Sequence, residues 1–202
     1  DAAPGVKEIL AVGKLCHEVR DRNYDLVVVD AEATGHIVAQ IGAPKVIRDL
    51  VQVGMVRDQT DWMLDLLHDP AITAVAIVTT PEEMPVTEAL DLFDRLEPET
   101  GVVPTAIVAN RVLTPWFEPD EHEIAAAIAE RRDVLVDAVG RGATVVLDAA
   151  RVAEARRRIG EGHLDRLRAT ADLPIVTVPE LFTRATGRRV VTLVADALAG
   201  QV

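Results

Sequence analysis

The run Leu26-Val27-Val28-Val29, followed at once by Asp30 and then by Ala31 to His36, constrains this chain more than any other stretch. Branched apolar residues without polar alternation are the pattern of a strand covered on both faces, as in a parallel sheet. A carboxylate closing such a strand stands where open α/β sheets keep their ligands. There Asp30 can hold Mg²⁺ through the ion's waters beside a phosphate. Thr34 and Gly35 then give a backbone able to approach that phosphate and to change conformation with it. The plainer alternative is that Asp30 caps a following helix and does nothing else.

Composition narrows the partners. With 202 residues, 49% of them hydrophobic, the chain can build one full core, and a single domain over 1–202 is expected. Lys plus Arg number 21 against 33 Asp plus Glu, a net charge of −12, which argues against nucleic acid and anionic lipid as partners. The single cysteine, Cys16, allows no internal disulfide, and the chain opens without a charged-then-apolar leader; both fit a reducing, cytoplasmic setting. No apolar run reaches the roughly 18 residues of a membrane span, so no integral membrane segment is expected. Cys16 and His17 have no second Cys/His pair at ligand spacing, which removes metal there.

Periodicity predicts helices over residues 4–22, 44–56 and 60–68, the last two rich in apolar side chains that include Met55, Trp62 and Met63. Strands are predicted at 73–80, 102–110 and 173–178, in addition to 26–30. A helix follows Pro81 and runs to Pro98, two long helices span about 121–139 and 146–170, and a closing helix spans about 187–198. Arg151, Arg156, Arg157, Arg158, Arg166 and Arg168 alternate with Glu154, Glu161 and Asp165, a solvated face of paired charges. His122 and His163 read as surface residues.

The segment from Asp30 to His36 resembles switch II of the ArsA/GET3 ATPases, which reads Asp-Thr-Ala-Pro-Thr-Gly-His. Here Asp30, Thr34, Gly35 and His36 match, while Ala31, Glu32 and Ala33 depart from it. Val78 to Ala89, Val108 to Val112 and Val178 to Phe182 extend the similarity in family order. The resemblance implies an α/β fold of the P-loop NTPase (SIMIBI) type, three layers with a doubly wound, mainly parallel sheet. It also implies ATP and Mg²⁺ as cofactors, with Asp30, Thr34 and Gly35 catalytic and Asp30 holding the metal through water. Asn110 would bind the adenine edge, and Pro179, Glu180, Leu181 and Phe182 would wall its pocket. The partners implied are a second ATPase subunit, in a homodimer or heterodimer, and a hydrophobic protein client seated on the helices after switch II; core packing is the alternative use of those side chains.

Nowhere in the sequence is there a Gly-x-x-x-x-Gly-Lys-Ser/Thr loop, which the family carries upstream of switch II. The chain therefore reads as the later two-thirds of such an ATPase, or as a relative without the loop, and as inactive by itself. Residues 37–202 hold no cysteine, so neither arsenite-ligating thiolates nor a bridging Cys-x-x-Cys zinc site is available there. A second reading is a non-catalytic scaffold subunit paired with an active relative, which Glu32 favours because an added acid beside phosphates costs electrostatic energy. A MinD/ParA-type relative would show a basic surface, at odds with the net charge.

Overall fold

The computed structural model describes residues 6–31, 34–116, 121–140 and 142–201. In chain order it contains α1 (Val6–Arg20), α2 (Thr34–Leu50), α3 (Met55–His68), β1 (Val75–Thr79), α4 (Glu83–Thr100), β2 (Pro104–Val112), α5 (His122–Glu130), α6 (Arg132–Val139), α7 (Gly142–Thr170), β3 (Ile175–Pro179) and α8 (Arg188–Ala199). The three strands form one parallel sheet in the order β1-β2-β3. Its direction follows from register: the Ile107 N–H donates to Pro174 O and the Glu180 N–H to Val112 O, each at 2.9 Å, so both strands advance together. A helix-containing crossover separates each pair of strands, as parallel neighbours require, and the chain is an α/β protein.

The chain divides into two compact units: Asp1–Val78 with Thr87–Ile107 and Ala171–Pro174, and Thr79–Val86 with Val108–Thr170 and Ile175–Val202. In the first, α1 and α3 bury Val12, Cys16 and Met63 together, with Trp62 and Leu66 packed against them. Burial pushes the Cys16 thiol up to about 11, so it behaves as a small apolar side chain. In the same unit the ring of His68 meets the Thr100 carbonyl oxygen at 3.0 Å. A Cβ on Gly101, whose φ is +81°, would lie 2.6 Å from that ring, so glycine is required on both grounds. In the second unit α7 buries Gly160, Leu164 and Leu167, and the Gln201 side chain binds Thr177 through both its oxygen and its nitrogen.

Several expectations are corrected. Residues 26–31 form no strand among the described residues, and Leu26 and Val28 are 78% and 82% exposed. A central strand needs hydrogen-bonded neighbours along its edges and cover over both faces; no described strand pairs with this run, so its composition alone does not make it one. Among the described residues the sheet accordingly has three strands, not the four expected. The break predicted between residues 56 and 60 lies instead at 51–54, where Gly54 takes φ +100°. Thr60 does not start a helix; its hydroxyl donates back to the Val56 and Arg57 carbonyls within α3, at 3.2 and 2.9 Å. Pro44 lies inside α2 and is fully buried.

Pro98 likewise lies in the last turn of α4, which ends at Thr100 with its hydroxyl on Leu96 O at 2.5 Å. The helix expected over 121–139 is split at Arg131, which leaves helical geometry at φ −104°, ψ 48°. The start of α7 is earlier than expected, at Gly142. Of the side chains rich in Met and Trp, Met63 is core whereas Met55 is exposed. Among the described residues no helix is long and apolar enough to cross a membrane.

Candidate functional site

A cleft of about 390 Å³ opens at the carboxyl ends of the strands, lined entirely by residues of the second unit. Pro81, Glu82 and Glu83 follow β1, Arg111, Val112 and Leu113 end β2, and Glu180 and Phe182 follow β3. One face of α7 closes it with Arg156, Arg157, Ile159, Gly160, Glu161 and His163. Gly160 packs against Pro81: a Cβ there would stand 3.4 Å from the Pro81 carbonyl oxygen, an ordinary van der Waals contact.

Three arginines and four glutamates line the cleft, and most are already matched. Arg111 Nε donates to Glu180 Oε2 at 2.7 Å, and this carboxylate raises the pKa of the guanidinium. Arg157 grips the buried Glu154 through Nε and Nη2, both at 2.9 Å. Those hydrogen bonds, joined by one from Arg158, pull the Glu154 carboxyl down to about 2 although burial opposes the shift. Glu161 accepts from Arg168 at 2.9 Å. A cleft so nearly balanced suits a neutral, polar ligand moiety better than a phosphate chain. Its open side carries an aromatic face: Phe182, 71% exposed, stands with its ring centroid 5.8 Å from that of Trp116 at 51°.

The β2 end has unusual backbone. Arg111 takes φ +59°, in the left-handed region that residues with a Cβ seldom enter, and its N–H donates to the Asn110 side-chain Oδ1 at 2.9 Å. β2 therefore continues through Asn110 to Val112 instead of closing on Asn110. Asn110 itself is half-buried and is not among the residues lining the cleft. Of the other residues expected around a base, Glu180 and Phe182 line the cleft, Pro179 ends β3, and Leu181 lies in the loop with its carbonyl accepting from Thr183 N–H at 2.8 Å.

Asp30, Thr34 and Gly35 belong to the first unit, so the expected residues fall into two groups. Asp30 is exposed in an irregular segment, Thr34 opens α2, and Gly35 has nothing within 4 Å of where a Cβ would stand. Glu32 and Ala33, two of the departures within the switch-like motif, lie outside the described residues. Among the described residues no three His, Cys, Asp or Glu side chains converge as a metal site.

Sequence reasoning missed Arg111, Arg156, Arg157 and His163 as cleft residues. The solvated, paired face expected of the α7 arginines holds for Arg168 with Glu161 and Asp165; Arg156 is exposed yet lines the cleft, and Arg157 makes the expected (i, i+3) pair with Glu154 but is half-buried. Charge periodicity marks the polar side of a helix without saying whether that side meets water or a cleft. His163, expected at the surface, is half-buried at the cleft.

The one family match with stated bounds falls on the first group. Residues 1–65 match the family model described as anion-transporting ATPase. The ATPase BagA of Mycobacterium tuberculosis is 34% identical over 130 residues, which cover 61% of this chain and 38% of that protein. An arsenical pump-driving ATPase of Halobacterium salinarum is 26% identical over 149 residues, covering 65% of this chain and 23% of its own length. An ATPase ASNA1 homolog of Entamoeba dispar is 35% identical over 51 residues, a quarter of this chain. The chain thus spans less than two-fifths of the length of the curated relatives it matches. Together with the switch-like motif inside the matched residues, these similarities relate the chain to ATPases of the anion-transporting type.

Proposed function

We propose that this chain is part of a dimeric, cytoplasmic ATPase in which ATP binding and hydrolysis drive a conformational switch that loads or releases a partner. The single observation that carries the reading is the cleft at the carboxyl ends of β1, β2 and β3, with its balanced charges and exposed Phe182 face, in a chain whose relatives are ATPases. It fits the base and ribose of a nucleotide, the neutral parts, and the position is where open α/β sheets bind ligands. The finer architecture proposed is the three-layer, doubly wound P-loop NTPase fold over a single domain.

In this reading Asp30 holds the waters of Mg²⁺, Thr34 and Gly35 supply backbone that senses the terminal phosphate, and Pro179 to Phe182 with Asn110 form the base end of the site. Mg²⁺ would supply neutralisation of charge developing on the phosphates. A phosphate-cradling loop is absent from the sequence, so the 202-residue chain by itself hydrolyses ATP negligibly. Arsenite as cargo is disfavoured by the lack of cysteine after Cys16. A hydrophobic client finds support in the exposed Val46, Leu50, Val53, Met55 and Val56 around the α2–α3 junction. The irregular, exposed setting of Asp30 favours a second reading, a scaffold subunit whose nucleotide site no longer turns over.

Steady-state hydrolysis by the full-length protein separates the two. With Asp30→Asn, Mg²⁺-dependent turnover should fall far more than ATP affinity, because the carboxylate acts where charge shifts in the transition state. Full-length protein that binds ATP but shows no turnover above background would establish the scaffold instead.

A further inference from the structure

We propose that α2 pivots at Pro44: Lys45 anchors its second half to the carboxyl end of α4, while its first half, which opens on the switch-like motif, turns about that fixed point. Pro44 lies inside the helix and has no N–H, so the Gln40 carbonyl lacks its helical partner and the proline ring crowds the turn before it. A helix bends most readily at such a place. Pro44 is also fully buried, so the break sits at a packed position, where one side of it can be held still. Only the response of this pivot to nucleotide rests on the proposed switch.

What holds that side follows from the end of α4, whose last four carbonyls need partners from outside the helix. Glu97 O accepts the Gly101 N–H at 2.8 Å, and Thr100 O accepts from His68 Nε2 of α3 at 3.0 Å. The two between them, Pro98 O and Glu99 O, accept from Lys45 Nζ at 3.2 and 3.1 Å. A cation is favoured at the negative end of a helix on electrostatic grounds as well. One turn further along α2, α3 adds its own hold. Arg48 Nε stands 2.8 Å from Asp61 Oδ1, and Arg57 donates to the carbonyls of Arg48 and Val51 at 3.2 and 3.4 Å. The first half of α2 is different. Gly35 and His36 are exposed, and a Cβ on Gly35 would meet nothing within 4 Å. Its buried side chains Val38 and Ala43 are apolar, and apolar contact is non-directional.

The test is amide hydrogen exchange on the full-length protein, read separately for residues 37–43 and 47–51, which Pro44 divides. Without nucleotide, 37–43 should exchange roughly tenfold faster than 47–51, since local opening starts in the less strongly held segment. Lys45→Met removes the ammonium and keeps a long apolar side chain. It should speed exchange at 47–51 roughly ten- to a hundredfold, the range for losing hydrogen bonds to a charged group. Exchange across β2, residues 104–112, should stay as in the parent protein, which shows that the fold is kept. Pro44→Ala restores an N–H for the Gln40 carbonyl and should slow 37–43 toward the rate of 47–51. MgATP should alter exchange at 37–43 alone in the parent protein, and in both halves of Pro44→Ala. Equal rates in the two halves of the parent, 47–51 unmoved by Lys45→Met, or 37–43 unslowed by Pro44→Ala would each overturn the pivot. Unequal halves that do not respond to MgATP would support the pivot and overturn the nucleotide switch.

Discussion

Two stretches of this chain carry the same message in sequence, an apolar run closed by a polar residue, and only one becomes a strand. Thr105 to Asn110 is laddered within β2: the Thr105 hydroxyl donates to Val75 O at 3.1 Å, the Ile107 N–H to Pro174 O at 2.9 Å, and Ile107 and Ala109 are fully buried. Leu26 to Asp30 is the more apolar of the two, yet it forms no strand among the described residues and exposes most of its side chains. Composition writes a preference for the pleated conformation; neighbours that pair the backbone and cover the faces decide whether it is realised. The same difference separates the two groups of site residues. Glu180 and Phe182 leave β3 just beyond a paired ladder and line a formed cleft, whereas Asp30 leaves an unpaired segment and stands exposed.

Breaking this comparison most sharply calls for truncation on both sides of it. Ile107→Ala should destabilise the fold by about 2–5 kcal/mol, as large-to-small changes in packed cores do, whereas Val28→Ala should stay within about 0.5 kcal/mol. Urea denaturation of the two variants measures both; equal losses would mean that the 26–30 run is packed in solution. Next in size, Gly101→Ala should cost on the order of 1–3 kcal/mol, because φ +81° and the nearby His68 ring each oppose a Cβ. A melting temperature equal to that of the parent protein would contradict the His68–Thr100 packing.

Within the cleft, Phe182→Ala in the full-length protein should weaken ATP binding by about 1–3 kcal/mol, the worth of one base stacked on an aromatic ring. Calorimetric titration reads this directly, and an unchanged Kd would detach the aromatic face from the ligand. The smallest effect concerns pH. The Glu154 carboxyl lies at about 2 in the fold against an ordinary 4.5, so its contribution is present above about 4.5 and is lost as pH falls toward 2. Glu154→Gln should flatten that part of the stability profile relative to the parent protein. Parallel profiles through this window would mean that the grip of Arg157 and Arg158 on Glu154 is not kept in solution.

Much of the fold was legible. The strands near 75–79, 104–112 and 175–179, the helix after Pro81 and the closing helix follow from apolar runs and their punctuation, because each of those runs meets partners the chain itself supplies. The 26–30 run misleads because periodicity is a local property and pairing is not. Helix limits failed at Gly54, a local breaker that moved one boundary, and at Arg131, a good helix former at which the helix that Ala125 to Ala129 suggested was continuous is nonetheless split. At the candidate site, Glu180 and Phe182 were reached through the resemblance of Val178 to Phe182 to the family. Arg111, Arg156, Arg157 and His163 were not, because which side of α7 meets the carboxyl edge of the sheet is set by packing between residues far apart in sequence.

The most direct test of the nucleotide site is hydrogen–deuterium exchange on the full-length protein with and without MgATP. A base seated in the cleft predicts added protection in peptides spanning 108–113 and 178–183, the ends of β2 and β3, greater for ATP than for inorganic triphosphate, which has no base. Binding of ATP that protects neither segment, or protects them no more than triphosphate does, would contradict the assignment of this cleft to the base.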